Sequence, residues 1–348
     1  MLVCASRVSA ESGGISSSVD LSVDIRIPVG LPVSETAAFI ARCESAGFSG
    51  VGVHDHQHSG RDVYLTLALA AERTSQLMLY PATSNPVTRH PAVLASLAHT
   101  LEEVAPSRVL LTLAPGFLAV RNIGHRRARV DELRDAVVAI KQLLAGDEVI
   151  FGGQATRLRN VSERPTPVYL LAAGPRMVEL AGEVADGAFL MTGLDPRAIH
   201  AAHRHLNVGA RRAGRDLNDF GIIHIVTMAL ERDGNDPLAW PQSWLAPGHP
   251  WIAYPSRSNS YWLREAGLDL ADDVQPEEIS DEQAARICDA FGLFGSAEHC
   301  ADRLRRAVDD SDVKRVFIFP AHTQASGYEM PEREVEAFRS VIFPALRR

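Results

Sequence analysis

The stretch Tyr169–Gly187, which reads YLLAAGPRMVELAGEVADG, contains the unit that decides the fold. It begins as a short apolar strand, breaks at a loop of small residues, and opens a helix at Pro175. A second apolar strand follows directly, in DGAFLMTG. A strand followed by a helix and then by another short apolar strand is the repeating unit of a parallel sheet covered by helices. The stretch therefore predicts an α/β fold.

The same alternation extends outward in both directions. Segments of helical length separate eight predicted strands, which read LSVDIRI, FSGVGV, LMLYPAT, RVLLTLAP, TPVYLLAAG, DGAFLMTG, GIIHIVTMAL and KRVFIFP. A small hairpin, FGGQATRLRNV, interrupts them with its turn near Gly152 and Gly153. Eight strands in this pattern predict a closed (β/α)8 TIM barrel, in which active sites lie at the carboxyl ends of the strands.

Composition divides the 348 residues into three parts. Residues 1–18 are rich in Ser and Gly and are expected to form a disordered lead-in. Residues 19–348 are expected to form a single barrel domain. Within it, residues 234–292 break the strand count and hold all four tryptophans, so we interpret them as an aromatic-rich insertion. The insertion either folds as a cap with its own small core, which is favoured, or lines an apolar substrate pocket.

Composition also argues against several functional classes. A net charge of −8 without a clustered basic stripe argues against nucleic-acid binding. No apolar run approaches membrane-spanning length, and the first residues lack the pattern of a signal peptide. Cys4, Cys43, Cys288 and Cys300 show no C-x-x-C spacing, so we expect free thiols. The expectation is a cytoplasmic protein whose partner is a small molecule.

Three histidines and an aspartate follow the second strand, in the sequence HDHQH from His54 to His58. At the barrel mouth they could bind a metal, transfer a proton to or from a bound cofactor, or form a polar loop. A metal-dependent hydrolase needs further ligands from other strand ends. However, the fifth strand ends in LAAGP without a histidine, and the eighth ends in PAHTQ without an aspartate. The metal-site interpretation is therefore disfavoured.

Two other loops are ambiguous when each is taken alone. The sequence YPATSNPVTRHPAV after the third strand contains a turn and a helix start, but its small residues would also let a flat ring lie against the backbone. The loop after the fifth strand offers free backbone N–H groups at a helix start, with Gly174 for close approach and Arg176 nearby, which suits a phosphate. A tight turn between a strand and a helix explains it equally well.

Taken together, these stretches resemble the bacterial luciferase-like monooxygenase superfamily, particularly its branch of oxidoreductases that depend on the deazaflavin coenzyme F420. The resemblance covers about residues 21–346 and is carried by AGFSGVGVHDH, TSNPVTRHPAVLASLAHTLEEV, RVLLTLAPG, VYLLAAGPRMVELAGEVADG and FGLFGSAEHCADRLRRAVDDSDVKRVFIFP. It implies a (β/α)8 barrel with inserted segments, in agreement with the strand count. It also implies a homodimer, the common state of the family.

The resemblance implies where a flavin or deazaflavin would bind. Its phosphate side is expected at the loop after the fifth strand, which consists of Ala172, Ala173, Gly174, Pro175 and Arg176. The ring is expected to rest on a bulge after the third strand, which consists of Ala82, Thr83, Ser84 and Asn85 with a cis peptide bond between the first two. Asp55 and His56 are expected to contact the ring. His56 is the expected proton-transfer residue, because a histidine exchanges protons near neutral pH.

One departure from the family pattern bears on the substrate. Members that oxidise sugar phosphates carry a glutamate after the fourth strand, where this chain has Phe117 in APGFLAV. An apolar residue at this place favours a neutral or hydrophobic substrate, and reduction of a C=C, C=N or C=O bond rather than oxidation. The alternatives are a two-component monooxygenase that uses reduced FMN and, more distantly, the metal-dependent hydrolase or a ligand-binding barrel without catalysis.

Overall fold

The computed structural model describes residues 19–231, 257–270, 278–322 and 326–348. Its strands are β1 (Ser22–Ile27), β2 (Gly50–Val53), β3 (Met78–Pro81), β4 (Leu111–Leu113), β5 (Val149–Phe151), β6 (Gln154–Thr156), β7 (Val168–Ala172), β8 (Gly187–Leu190), β9 (Gly221–Leu230), β10 (Gly292–Gly295) and β11 (Arg315–Pro320). Each of the eight strands predicted from apolar runs is present, and the predicted hairpin is the antiparallel pair β5 and β6.

The eight predicted strands form a parallel barrel. Neighbouring strands follow the order β3-β2-β1-β11-β9-β8-β7-β4. Two isolated parallel bridges, Leu79 with Val109 and Ser84 with Leu113, connect the β3 segment to the β4 segment and bring the two ends of the sheet together. The prediction of a (β/α)8 barrel is confirmed, and all carboxyl ends of these strands open on one face.

Helices follow the strands and cover the outside of the barrel. They are α1 (Val33–Ser45), α2 (Val63–Ala71), α3 (Pro91–Val104), α4 (Leu118–Arg121), α5 (Val130–Leu144), α6 (Pro175–Val184), α7 (Pro196–Arg212), α8 (Arg257–Glu265), α9 (Asp281–Phe291), α10 (Ala297–Ser311), α11 (Glu332–Ala337) and α12 (Phe343–Leu346). Their apolar faces are buried: on α5, Leu133, Val137, Ile140 and Leu144 recur at helical spacing and are at most 3% exposed. In the described part of the chain, no helix has the length and apolar composition needed to cross a membrane.

The inside of the barrel is a second, smaller core made mostly of aromatic rings. Tyr80, Phe189 and Phe317 pack against one another with ring centroids 5.3 to 5.9 Å apart. Below them, the fully buried Asp24 accepts hydrogen bonds from the Tyr80 hydroxyl at 2.7 Å and from the Arg315 guanidinium at 2.9 and 3.0 Å. Among the described residues, this layer fills the inside of the barrel beneath the carboxyl ends of the strands.

The insertion is partly described, and its end differs from the prediction. Residues 232–256 and 271–277 lie outside the described residues, as do residues 1–18 with the predicted disordered lead-in and Cys4. Helix α9 runs directly into β10, which pairs in parallel with β9 although no strand was predicted there. A four-residue strand that begins and ends with glycine carries too little pattern to be recognised from the sequence. Cys43, Cys288 and Cys300 are buried free thiols, as predicted.

The ion pair beneath the barrel core provides a test of stability. In Asp24→Asn, the buried part of Arg315 loses its counter-charge, and we expect the free energy of unfolding to fall by about 3 kcal/mol or more. Urea denaturation measures this change. Glu336→Gln is the control, because it breaks a pair in which both side chains are 59% exposed, and we expect a loss below about 1 kcal/mol. Equal losses in the two variants would contradict the proposed importance of the buried pair.

Candidate active site

A cavity of about 680 Å³ opens at the carboxyl ends of the barrel strands. Strands β2, β3, β4 and β7 and the loops that follow them provide most of its wall, with helix α8 on one side. Most of the predicted site residues line it: Asp55, His56, Ala82, Thr83, Asn85, Phe117, Ala173, Gly174, Pro175 and Arg176. Residues that lie as many as 121 positions apart in the sequence, between 55 and 176, thus meet in one space of the size that small-molecule sites usually have.

Two predicted residues lie behind the wall rather than on it. Ser84 and Ala172 are both completely buried, and neither lines the cavity. The Ser84 hydroxyl donates to the Asp55 carboxylate at 2.6 Å and accepts from the Tyr64 hydroxyl at 2.9 Å. Ala172 ends strand β7. These two residues therefore lie behind neighbours that do line the cavity, and their predicted role in cofactor binding stays a prediction.

The carboxylate of Asp55 joins the end of β2 to the bulge after β3. It accepts hydrogen bonds from Ser84 and from the Arg89 guanidinium, each at 2.6 Å. The second Nη of Arg89 donates to Asp62 at 2.8 Å. The peptide bond between Ala82 and Thr83 is cis, as the resemblance implied. Asp55 lines the cavity, but its carboxylate is engaged with the bulge, so it holds the wall in place.

The ring of His56 is held at both nitrogens and is 4% exposed. Its Nδ1 lies 2.5 Å from the Tyr328 hydroxyl, and its Nε2 lies 3.2 Å from the side-chain nitrogen of Asn122. An amide nitrogen only donates, so Nε2 is the acceptor and the proton of the neutral ring is on Nδ1. Burial lowers the pKa of His56 from its ordinary value, the nearby His58 adds to this, and Asp55 opposes it.

The other histidines of the motif have different surroundings. His54 lines the cavity, and its Nδ1 lies 3.3 Å from the Arg26 guanidinium. Burial first, and then Arg26, hold the pKa of His54 well below its usual value. His58 is exposed on the loop. Among the described residues, no group of three His, Cys, Asp or Glu side chains is placed to hold a metal ion, and protein groups already bond to the ring nitrogens of His56.

The loop after β7 is covered by helix α8 from the insertion. The Trp262 indole donates to the Ala173 carbonyl at 2.7 Å, and the Trp262 side chain is fully buried. The neighbouring Tyr261 lines the cavity, as does Ser258. In this helix, Trp262 packs in the main hydrophobic core and Tyr261 lines the cavity. Trp240, Trp244 and Trp251 lie outside the described residues.

Helix α6 begins at the cavity without a side-chain cap. Its N-cap residue is Gly174, which has no side chain to accept from the first N–H groups, and Pro175 occupies the first turn. A Cβ added to Gly174 would lie 2.8 Å from the Ser258 hydroxyl. Uncapped N–H groups and the positive end of the helix dipole favour an anionic ligand at this edge of the cavity. Arg176 is exposed at the same edge.

Sequence reasoning missed four side chains that shape the site: Arg89, Asn122, Tyr328 and Arg26. Arg89 could have been identified from the sequence, since it is the only arginine in the quoted motif TRHPAV, which contains no acidic residue. The other three carry no local signal. Tyr328 lies 272 positions from its partner His56, and Asn122 lies 66 positions away, so only the closed barrel brings them together.

The fold and the cavity define a luciferase-like barrel protein. The chain belongs to the luciferase-like monooxygenase family, whose model matches residues 5–313. It is 27% identical over 297 residues to the 5,10-methylenetetrahydromethanopterin reductase of Methanolobus tindarius, covering 80% of this chain and 87% of that protein. It is 26% identical over 336 residues to the F420-dependent glucose-6-phosphate dehydrogenase of Microbacterium testaceum, covering 90% and 94%.

Solved structures show the same fold. The coenzyme F420-dependent tetrahydromethanopterin reductase of Methanopyrus kandleri superimposes with a TM-score of 0.71 and 21% identity, covering 94% of this chain and 99% of that one. The EDTA monooxygenase of Chelativorans sp. BNC1 superimposes with a TM-score of 0.68 and 13% identity, covering 94% and 93%. The structural likeness thus extends to both F420-dependent and monooxygenase members.

The protonation state of His56 can be measured without any ligand. We expect side-chain ¹⁵N NMR to show a neutral ring at pH 7 with the proton on Nδ1, and a titration midpoint below 6.5, because burial disfavours the imidazolium form. His56→Gln identifies the resonances by their disappearance. A ring protonated on Nε2, or a midpoint above 6.5, would show that Asn122 and burial do not control this histidine.

Proposed function

We propose that this protein is an F420-dependent oxidoreductase that reduces a C=C, C=N or C=O bond of a neutral or hydrophobic small molecule. The observation that carries the proposal is the meeting, in one cavity, of an apolar wall at Ala82–Thr83, a buried histidine and an uncapped helix start. The names of relatives that are described as F420-dependent support the choice of cofactor.

The described residues fit a deazaflavin. The wall formed by Ala82, Thr83 and Leu171 presents backbone and small or apolar side chains, against which a flat ring can lie. The helix start at Gly174 lacks a cap, and its free N–H groups would hold a phosphate together with Arg176. His56 lines the same cavity. A ring site, a phosphate site and a proton-transfer group therefore face one cavity.

When bound, a deazaflavin would donate a hydride to the substrate or accept one from it. The protein would provide the proton and the surroundings. His56 is a group in the cavity that can exchange the proton. Tyr328 and Asn122 hold its ring in one orientation. Because burial lowers its pKa, the imidazolium form that reduction needs becomes populated only as the pH falls below 6.5. Reduction should therefore be faster at mildly acidic pH, whereas the neutral ring would serve the reverse oxidation at higher pH.

The entrance of the cavity supports an apolar substrate. Phe117 is 54% exposed and lines the cavity, with the Arg121 guanidinium 5.8 Å from its ring centroid. The sugar-phosphate oxidising members place a glutamate at this position. A phenyl ring there cannot accept a proton, so we place this protein among reductases of neutral substrates rather than with its glucose-6-phosphate dehydrogenase relative.

A monooxygenase that uses reduced FMN is the second candidate. It is supported by the family of the chain and by the shared fold of the EDTA monooxygenase. The phosphate of FMN would bind at the same start of α6, so the cavity does not discriminate between F420 and FMN. The curated relatives whose names include F420 favour F420.

The proposal also covers the cellular location, the oligomeric state and the domain organisation. We place the protein in the cytoplasm as a homodimer, with residues 19–348 forming one luciferase-like domain. The free buried thiols support a reducing compartment.

Cofactor choice is tested by titrating the protein with F420 and FMN side by side and following intrinsic fluorescence. We expect tighter binding of F420, because the bulge and helix start are those of the deazaflavin branch. Riboflavin, which lacks the phosphate, is the control and should bind more weakly than FMN. Submicromolar FMN binding with no detectable F420 binding would support the monooxygenase instead.

The phosphate edge is tested by variants of the loop after β7. Arg176→Ala should weaken F420 binding by about 1–3 kcal/mol, the size of a lost charge-assisted hydrogen bond. Gly174→Ala should weaken it more, because the added methyl group would occupy the approach to the helix start. The methyl group would also crowd the Ser258 hydroxyl.

A double variant separates these two effects of the methyl group. Gly174→Ala with Ser258→Ala removes the crowded hydroxyl but leaves the methyl group in place. We expect its F420 binding to remain weak, and circular dichroism should show a normal fold. Full recovery in the double variant would mean that the methyl group acts only through Ser258, and the phosphate would then belong elsewhere.

A further inference from the structure

Two helices begin side by side at one edge of the cavity. Helix α6 starts directly after Gly174, and helix α8 of the insertion starts at Arg257. The Ser258 hydroxyl, in the first turn of α8, lies 2.8 Å from the position that a Cβ on Gly174 would occupy. Gly174 and Ser258 both line the cavity. The amino-terminal ends of α6 and α8 therefore meet at the wall of the space in which a ligand would bind.

Three hydrogen-bond donors at this meeting point have no acceptor among the described residues. The backbone N–H groups of Gly174 and Arg176 donate to no described group, whereas those of Met177 and Val178 donate to the Gly174 carbonyl. The Ser258 hydroxyl likewise makes no hydrogen bond to a described residue, although it lines the cavity. Two backbone donors and one side-chain donor are thus available to one acceptor group.

The charges at the two helix starts have the same sign. The first turn of a helix carries about half a positive charge, and Arg176 adds its own charge in the first turn of α6. Among the described residues that line the cavity, Asp55 is the one acid, and its carboxylate already accepts from Ser84 and Arg89. Two positive helix ends in contact repel each other, and an anion bound between them removes the repulsion.

Contacts farther along α8 hold its start in this position. The Trp262 indole donates to the Ala173 carbonyl at 2.7 Å, and the Tyr261 hydroxyl lies 2.8 Å from Nε2 of His205 on α7. Neither contact involves Ser258. The packing of α8 therefore places the Ser258 hydroxyl beside Gly174 without any bond of its own, which leaves this hydroxyl available to a ligand.

We propose that the Ser258 hydroxyl donates a hydrogen bond to the phosphate of the bound cofactor, so that α6 and α8 hold this phosphate between their amino-terminal ends. This inference rests on the proposed function, which places the phosphate at the start of α6. It adds a ligand from the aromatic-rich insertion. A phosphate has several acceptor oxygens, so it can accept from Ser258 and from the backbone N–H groups of Gly174 and Arg176 together. The insertion is then part of the cofactor site.

The contribution of the phosphate is measured as a ratio of two dissociation constants, obtained by fluorescence titration in a buffer without phosphate. FMN is compared with riboflavin, which lacks only the phosphate. F420 is compared with its deazaflavin riboside part, which lacks the phosphate and the groups beyond it. In the native protein, we expect the phosphorylated compound of a pair to bind at least about 100-fold more tightly, because it gains several bonds to a charged group.

Variants of α8 identify the side chain responsible. Ser258→Ala should lower the ratio by about 10-fold or more, as for one lost bond to a charged group, and leave riboflavin binding within about twofold. Ser258→Asp puts a negative charge between the helix starts and should abolish the preference for the phosphorylated compound. Ser260→Ala is the matched control: Ser260 is on the same helix, is 6% exposed and does not line the cavity, so the native ratio should be retained.

Thermal unfolding without ligand distinguishes a ligand contact from a structural one. Because the Ser258 hydroxyl has no partner among the described residues, Ser258→Ala should leave the unfolding midpoint unchanged. Ser258→Asp should raise the midpoint, because its carboxylate would interact favourably with the two helix starts in place of the phosphate. A lower midpoint in Ser258→Ala together with a native ratio would assign the hydroxyl to the stability of α8 and overturn the proposal.

Three further results would count against the assignment. A native protein that binds none of the four compounds, or shows no preference for the phosphorylated ones, has no phosphate at this edge. A ratio that is unchanged in both Ser258 variants would leave the phosphate to α6 alone. An equal loss in Ser260→Ala would indicate a general effect on α8. If the ratio depends on Ser258 for FMN and riboflavin while F420 does not bind, the phosphate ligand stands and only the choice of cofactor is contradicted.

Discussion

The carboxylate of Asp55 is the interaction on which the site depends. It stands at the end of β2, next to the histidine that faces the cavity, and it accepts 2.6 Å bonds from Ser84 and Arg89 across the bulge after β3. One acid thus sets the position of the wall relative to His56. Arg89 continues the connection to Asp62 at the start of α2. Without these bonds, the two loops would be independent segments of backbone at the open end of a barrel.

Charge is arranged in layers along the inside of the barrel. Asp24 and Arg315 neutralise each other beneath the aromatic core. One layer nearer the entrance, Arg26 has no acid among the described residues, and the histidines around the floor have lowered pKa values because of burial and of this charge. The two layers differ in whether the arginine is paired with an acid. The lower one is an ion pair within the barrel, whereas the upper one is a buried arginine beside His54.

Most of the fold could be predicted from the sequence, because each strand and helix is encoded locally. Eight apolar runs correspond to eight barrel strands, and α6 begins at Pro175 as expected. The exception is β10, where LeuPhe between two glycines is too short to carry a pattern. The site could be predicted only in part. The backbone loops at Ala82–Thr83 and Gly174 were recognised from their motifs, but Ser84 and Ala172 support the wall instead of forming it.

The sequence by itself determined the barrel, the family resemblance and the loops that face the cavity, since these depend on periodicity and on short contiguous motifs. Only the tertiary structure decided which groups touch. The pairing of His56 with Tyr328 and Asn122, and the burial of Arg26 beside His54, join segments as many as 272 positions apart. No local pattern records such contacts. The pairing of His56 with Tyr328 in particular arises because the first and last strands of the barrel become neighbours.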